Sequence, residues 1–272
     1  VFASLGIRKI KLTGGEPLMR KGIPELVGKL KAIKGIEQVT LTTNGLALSP
    51  LIEDLEKAGL DGVNLSMDTL NPEAYVRITR GQSFDQAMEG FHAVLCRSGI
   101  PLKINCVPMG MEGQEVEALA ELARKYPVHV RYIEMMPIGL GRRFRPQNED
   151  EILDCLRKKY GNCVLYHGVL GNGPGHYYSF EGFQGKIGFI SALSHKFCGS
   201  CNRIRLTSKG YLKTCLQYET GADLRVLLRG GASDEAIREA IQNAVLQKPD
   251  SHHFTGTSDQ PCDFHMMSQI GG

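Results

Sequence analysis

Three cysteines in the C-terminal half of the sequence have the spacing of metal ligands, in the pattern Cys198-x2-Cys201-x13-Cys215. Thiolates of this kind bind zinc or iron–sulfur clusters, and a cluster with only three cysteines leaves one iron without a protein ligand. Arg203 and Arg205 lie between the second and third cysteine and bring positive charge beside that open position. The pattern therefore predicts a metal centre that holds a phosphorylated substrate.

The same cysteines also fit a structural zinc site. Zinc in a structural site prefers four protein ligands, and His195, three residues before Cys198, supplies a candidate for the fourth. Iron–sulfur clusters are usually held by four cysteines, so three would form an open site. The spacing alone favours metal binding and leaves zinc and iron–sulfur equally open.

The composition is that of an ordinary globular protein. The 272 residues are 42% hydrophobic and 22% charged, enough for one large domain or a barrel with a smaller module. The net charge of +3 is too small to predict nucleic-acid binding. No apolar stretch reaches the roughly 18 to 20 residues of a membrane helix. Eight cysteines without an export signal favour a reducing compartment. We therefore expect a cytoplasmic protein, or one of the mitochondrial matrix in a eukaryote.

Short apolar runs alternate with longer amphipathic segments over the first 160 residues. This alternation predicts an α/β fold with a parallel sheet, and five such units without a Gly-x-Gly-x-x-Gly fingerprint favour a complete or partial β/α barrel over a dinucleotide fold. The predicted strands are Lys9–Thr13, Val39–Thr43, Gly62–Met67, Leu102–Val107 and Val128–Met135, and the predicted helices are Ile23–Ile33, Pro50–Ala58, Phe84–Cys96, Val116–Lys125 and Asp150–Lys159.

The pattern changes after about residue 160, so we predict a barrel over residues 1–160 and a C-terminal region over residues 161–272. The second region contains the three cysteines and a predicted helix, Ser233–Leu246, in which Ser233 is the N-cap. The other elements predicted there are a helix at Ala222–Leu228 and short strands at Val164–Tyr166, Tyr177–Phe180 and Ile187–Ile190.

The predicted strands end in polar residues, which in a parallel barrel lie at the active face. Side chains two positions apart on a strand share a face, so Thr42 can point with Asn44, and Ser66 with Asp68. One polar strand end is ordinary helix capping, but five in succession predict a shared ligand site. The polar ends are residues 11–17, 42–45, 64–68, 103–105 and 131–136.

Gly14-Gly15-Glu16-Pro17 follows the first predicted strand. Glycines allow the backbone to approach a ligand closely, and the Glu16 carboxylate can accept hydrogen bonds from an amine. A simple glycine turn before the first helix explains the motif equally well. The motif alone therefore does not separate a ligand loop from a turn.

Together, these motifs resemble one family, the GTP 3′,8-cyclases of molybdenum-cofactor biosynthesis, which are radical S-adenosylmethionine enzymes. The resemblance covers nearly the whole chain and implies a six-stranded partial barrel of the radical S-adenosylmethionine type with a C-terminal iron–sulfur extension. It favours iron–sulfur over zinc. The motifs that carry it are residues 12–20, 41–45, 66–70, 131–136 and 197–207 and the final Gly271-Gly272.

The resemblance also implies roles for matching residues. Cys198, Cys201 and Cys215 would bind a C-terminal [4Fe-4S] cluster whose open iron takes the guanine of GTP, and the Gly-Gly tail would reach into the active site. The residues implied for S-adenosylmethionine are Gly15, Glu16, Ser66 and Met136. The residues implied for GTP are Lys11, Thr42, Lys103, Arg203 and Arg205, whose side chains include the planar forks and point charges that phosphates favour.

The implied reaction converts GTP to (8S)-3′,8-cyclo-7,8-dihydroguanosine 5′-triphosphate. A second, N-terminal [4Fe-4S] cluster would cleave S-adenosylmethionine to a radical that takes a hydrogen from ribose C3′, and C3′ would then close onto C8. The implied partners are a reductant protein and a second copy in a homodimer, with no nucleic acid and no membrane. No general acid or base can be assigned, and Arg131 and Asn105 are predicted as secondary contacts on electrostatic grounds.

Two features depart from the family pattern. The Cys-x3-Cys-x2-Cys motif of the radical-generating cluster does not occur in this sequence, which begins at Val1, so we expect an N-terminally truncated enzyme that is inactive alone. Lys11 stands where the family has arginine, and the loss of a bidentate contact is not conservative. Two other interpretations stay open, a different radical S-adenosylmethionine enzyme with an auxiliary cluster and a non-catalytic barrel that binds zinc or a nucleotide.

Overall fold

A computed structural model describes residues 1–97, 99–137, 141, 144, 146–171 and 173–254. Strands and helices alternate over the first part of the chain, as predicted. The strands of the main sheet are β1 (Lys9–Leu12), β2 (Gln38–Thr43), β3 (Val63–Ser66), β4 (Leu102–Cys106), β5 (His129–Ile133), β6 (Cys163–Tyr166), β7 (His176–Phe180) and β8 (Ile187–Ile190). The helices around it are α1 (Ile23–Lys31), α2 (Ile52–Lys57), α3 (Pro72–Thr79), α4 (Phe84–Leu95), α5 (Val116–Lys125) and α6 (Glu149–Tyr160).

The main sheet has eight strands in the order β1-β2-β3-β4-β5-β8-β7-β6. The strands from β1 through β5 and then β8 are parallel to one another, whereas β7 and β6 continue the sheet as an antiparallel hairpin. Six parallel strands confirm the predicted α/β fold of the partial-barrel type. The sheet continues past residue 160, and the division of the chain into two domains at that point stays a prediction.

The two faces of the sheet differ in polarity. On β2, Val39 and Leu41 are fully buried, whereas Thr42, which lies on the opposite face of the same strand, is half-buried. On β4, Ile104 is fully buried and its neighbour Lys103 is half-buried. The buried side chains form one core with the helices. Closed β/α barrels fill their interior with branched apolar side chains, so a polar inner face indicates a ligand site instead of a core.

Helix α4 packs closely on the loop after β2. A Cβ at Gly90 would lie 2.3 Å from the Gly45 carbonyl oxygen, whereas a Cβ at Gly28 in α1 would have nothing within 4 Å. We expect Gly28→Ala to stabilise the fold by about 0.5–1 kcal/mol, because glycine weakens helix interiors. Gly90→Ala should destabilise it by about 1–3 kcal/mol, because overpacking displaces the backbone. Denaturant unfolding of both variants measures the difference, and equal midpoints would contradict this packing.

The C-terminal part forms a small unit of its own elements. These are β9 (Arg205–Leu206), β10 (Tyr211–Lys213), β11 (Gly221–Asp223), α7 (Leu224–Arg229) and α8 (Asp234–Leu246). The three strands are antiparallel in the order β11-β10-β9. Ser233 caps α8 as predicted, since its side chain accepts the Ala236 N–H. The predicted helix at Ala222 begins later, at Leu224, because residues 221–223 pair with β10.

A second apolar cluster holds this unit together and joins it to the start of the chain. Its buried members are Leu212, Leu224, Ile237, Ile241 and Ala244, and Val1, Phe2 and Leu5 pack against them. The unit therefore rests on the segment that leads into β1. None of the described helices has the length and apolar character needed to cross a membrane.

Candidate active site

Five cationic side chains converge on the polar face of the sheet. Lys11, Lys103 and Arg131 come from β1, β4 and β5, and Arg203 and Arg205 come from the C-terminal unit. The Lys11 side chain is partly open to solvent. Partial burial and repulsion from the other four charges lower its pKa to about 8. Burial and the charge of Arg131 likewise lower the pKa of Lys103 to about 8. Concentrated positive charge of this kind favours a polyanionic ligand.

Arg131 is deeply buried among these cations, with 5% of its surface exposed. Its Nε donates to Asn105 Oδ1 at 2.9 Å, and its Nη2 donates to Asn105 Oδ1 at 2.6 Å and also to Asn64 Oδ1. No carboxylate in the described part of the chain pairs with it. A buried charge with neutral partners is costly, and this makes the guanidinium a candidate contact for an anion.

The register of the parallel strands lines up the polar residues. Thr42 on β2 lies opposite Asn64 on β3, and Asn64 lies opposite Lys103 on β4. One step further along, Ser66 lies opposite Asn105. Asn64 Nδ2 donates to the Leu41 carbonyl at 3.1 Å and lies 3.5 Å from Thr42 Oγ1. The structure thus brings the predicted residues of β2, β3 and β4 to one surface, and their ligand contacts stay a prediction.

The Glu16 carboxylate is already occupied by the protein. It accepts hydrogen bonds from Leu18 N at 3.0 Å, Thr43 Oγ1 at 2.7 Å and Asn44 N at 2.7 Å. Glu16 therefore ties the glycine loop to the end of β2, while Gly15 beside it is exposed. Three protein donors give Glu16 a structural role, and its predicted position near the amine of S-adenosylmethionine stays a prediction.

The three predicted cluster ligands lie beside the cations on the C-terminal arm (residues 193–215), and all three are half-buried. Cys198 begins a single 3₁₀ turn, and the Cys201 N–H donates to its carbonyl at 3.0 Å. Cys215 follows β10. Burial and Arg203 lower the pKa of Arg205 to about 10, against the opposing influence of Cys201 and Cys215. One guanidinium is therefore close to two of the three thiols.

The chemistry of these three cysteines suits a metal centre. Burial would raise the pKa of Cys201, but the Arg203 backbone N–H and the charges of Lys248 and Arg203 outweigh it and lower that pKa. Thiolate is the form that binds metal. As the side chains stand, the described part of the chain contains no group of three or more His, Cys, Asp or Glu arranged to hold a metal ion. His195 faces Glu149 at 3.6 Å instead of completing the cysteine set.

One contact orders Arg203 within this arm, and another joins the arm to the end of β5. The Arg203 guanidinium lies 5.1 Å from the centre of the Phe197 ring, in a cation–π contact. The Glu134 carboxylate after β5 accepts the N–H groups of Leu193 and Ser194 at 2.6 and 3.0 Å. The loop that carries the half-buried Met136 is therefore bonded to the segment that leads to Cys198. The predicted Gly271-Gly272 tail lies outside the described residues.

Two family models match consecutive parts of the chain. The family model of the radical SAM superfamily matches residues 1–125, and that of Molybdenum Cofactor Synthesis C matches residues 128–254. A GTP 3′,8-cyclase of Heliobacterium modesticaldum is 45% identical over 280 residues, which cover 100% of this chain and 84% of the relative. The chain belongs to the GTP 3′,8-cyclase family. The GTP 3′,8-cyclase of Clostridium perfringens strain SM101 is 42% identical over 273 residues, 99% of this chain and 83% of the relative.

Family membership confirms the resemblance that the motifs indicated. It makes the chain a radical S-adenosylmethionine enzyme of the lyase class, within molybdenum-cofactor biosynthesis. It also implies [4Fe-4S] and S-adenosylmethionine as the cofactors of the family. The number of clusters and their positions on this chain are proposals.

Proposed function

We propose that this chain binds GTP at the five-cation face and acts in its conversion to (8S)-3′,8-cyclo-7,8-dihydroguanosine 5′-triphosphate. The supporting observation is the convergence of five cations on one face. Burial first, and then the charges of Arg131, Lys103, Arg203 and Arg205, lower the pKa of Lys11 to about 8. A triphosphate supplies several negative charges at one place. Charge-assisted hydrogen bonds from arginine forks and lysines are the strong contacts available to such a ligand.

The site divides into three parts in this proposal. Cys198, Cys201 and Cys215 would hold a [4Fe-4S] cluster, which would offer an open iron to the guanine. The residues proposed for S-adenosylmethionine are Gly15, Glu16, Ser66 and Met136, and those proposed for GTP are Lys11, Thr42, Lys103, Arg203 and Arg205. When bound, S-adenosylmethionine supplies the radical that takes the C3′ hydrogen. The chain's own residues hold the triphosphate, fix the ribose and exclude side reactions.

Other properties of the family pattern extend this proposal. The resemblance adds a second [4Fe-4S] cluster, a reductant protein and a homodimer to the proposal. The cytoplasmic location follows from cysteine usage. GTP binding does not depend on turnover, so its measurement tests none of these properties.

GTP affinity tests the proposal. We expect the anaerobically reconstituted chain to bind GTP, and Arg203→Ala to weaken binding about 10- to 150-fold, because a hydrogen bond to a charged group contributes about 1.5–3 kcal/mol. Arg229→Ala is the matched control, since Arg229 is exposed at the end of α7 in the same unit. Calorimetric titration measures both. Equal affinities would remove Arg203 from the site, and a reconstituted parent chain that fails to bind GTP would overturn the proposed function.

A further inference from the structure

We propose that Lys248 is a positioning residue that fixes the loop from Cys201 to Arg203 and places a positive charge at the Cys201 sulfur. This inference rests on the proposed function, because it takes Cys201 as a cluster ligand. Lys248 follows the end of α8 and is half-buried. Its backbone N–H donates to the Val245 carbonyl at 3.0 Å, so the helix end holds its main chain.

Among the described residues, the Lys248 ammonium contacts this loop. Its Nζ donates to the Cys201 carbonyl at 2.6 Å and to the Arg203 carbonyl at 3.1 Å, and it lies 3.5 Å from the Cys201 sulfur. An ammonium has three N–H donors, so these contacts account for all of them. One side chain therefore fixes both a proposed metal ligand and a proposed phosphate ligand.

Helix α8, which ends just before Lys248, is packed against the rest of the C-terminal unit. Ile237, Ile241 and Ala244 on α8 are buried against Leu212 of β10 and Leu224 of α7. Since β10 leads directly to the third cysteine, α8 relates the loop of the second cysteine to the segment of the third. Through α8, Lys248 thus relates the loop of Cys201 to the segment that carries Cys215.

Lys248 also acts on Arg203 from the backbone side. It bonds the Arg203 carbonyl, while the Phe197 ring lies under the Arg203 guanidinium. Both ends of that residue are therefore held before any anion arrives. Preorganised charges of this kind bind without the loss of side-chain freedom that a mobile arginine would incur.

A positive charge and an N–H donor at a ligand sulfur also change the cluster itself. Hydrogen bonds to the sulfurs and the net charge around them set the reduction potential of an iron–sulfur cluster. Reduction adds negative charge, so a nearby ammonium favours the reduced state. Loss of the Lys248 charge should therefore move the potential of this cluster to a more negative value.

The test compares Lys248→Met, Lys248→Arg and Lys29→Met in the full chain after anaerobic reconstitution. Methionine keeps the unbranched stem and removes the charge, arginine keeps the charge, and Lys29 is exposed on α1. We expect Lys248→Met to shift the potential negatively in a spectroscopic redox titration and to weaken GTP binding about 3- to 10-fold. Lys248→Arg should retain most of the potential, and Lys29→Met should match the parent in both measurements.

The outcomes separate this inference from the proposed function. A Lys248→Met chain with full iron content, the parent potential and the parent GTP affinity would overturn the role of Lys248. Loss of iron with an unchanged circular dichroism spectrum would support it, because the ligand loop then depends on the lysine. If the methionine variant unfolds, Lys248→Gln repeats the comparison with a neutral donor. A parent chain that takes up no iron would overturn the proposed function.

Discussion

We expect the Cys201→Ala chain to emerge from anaerobic reconstitution without a [4Fe-4S] cluster, while Cys96→Ala takes up as much iron as the parent chain. Cys201 has its thiolate favoured by Arg203 and Lys248, so it is suited to bind iron. Cys96 is exposed at the end of α4. With only two proposed thiolates left, the cluster loses a third of its protein ligands.

Iron, sulfide and zinc analysis of the purified variants, together with visible absorption, measures this effect. The parent chain should contain roughly four irons for each [4Fe-4S] cluster it binds. Iron retained in the Cys201→Ala chain at the parent level would remove Cys201 from the ligand set. A colourless parent chain with one firmly held zinc would favour the zinc-binding barrel that the cysteine spacing alone left open.

GTP affinity should fall steeply above pH 8. In the free chain Lys11 and Lys103 have pKa values of about 8, because burial and the neighbouring cations disfavour their charged forms. A bound triphosphate favours the charged form, so the pKa of each lysine rises in the complex. Below pH 8 both lysines are already charged and binding is strong. Above pH 8 each lysine must take up a proton when GTP binds. For each lysine, this requirement lowers the GTP affinity about tenfold between pH 7 and pH 9.

Calorimetric titration in buffers of different ionisation enthalpy measures both the affinity and the proton uptake. The last phosphate ionisation lies near pH 6, so the triphosphate charge is constant over this range. Lys103→Arg is the control, because arginine stays charged throughout and should remove that lysine's share of the pH dependence. A flat profile for the parent chain would mean that neither lysine contacts the phosphates.

The periodic part of the fold could be predicted from the sequence. Each of the first five strands appears within a few residues of its predicted position, because apolar runs and amphipathic helices leave a local pattern. The sequence pattern does not predict helix α3 (Pro72–Thr79), since it fully buries only Ala74 and Tyr75 and therefore has a weak apolar stripe. The pairing of β8 with β5 could not be predicted from a local sequence pattern either, because it joins strands that are far apart in the chain.

The candidate site was predictable only in part. Motifs pointed to Lys11, Lys103, Arg203 and Arg205, and the structure places their charges together. The contact of Arg131 with Asn64 spans 67 residues, and that of Lys248 with Cys201 spans 47. Contacts between such distant side chains have no sequence pattern. Likewise, nothing in the glycine motif shows that Glu16 is engaged by Thr43 and Asn44.

The packing of Val1, Phe2 and Leu5 against the C-terminal unit has an electrostatic consequence. The sheet contributes three of the five like charges and the unit contributes two, so the two parts repel each other at the site. These apolar side chains oppose that repulsion at the start of the chain. An anion seated between the parts would turn the repulsion into attraction, and substrate would then strengthen the joint between the first and last thirds of the molecule.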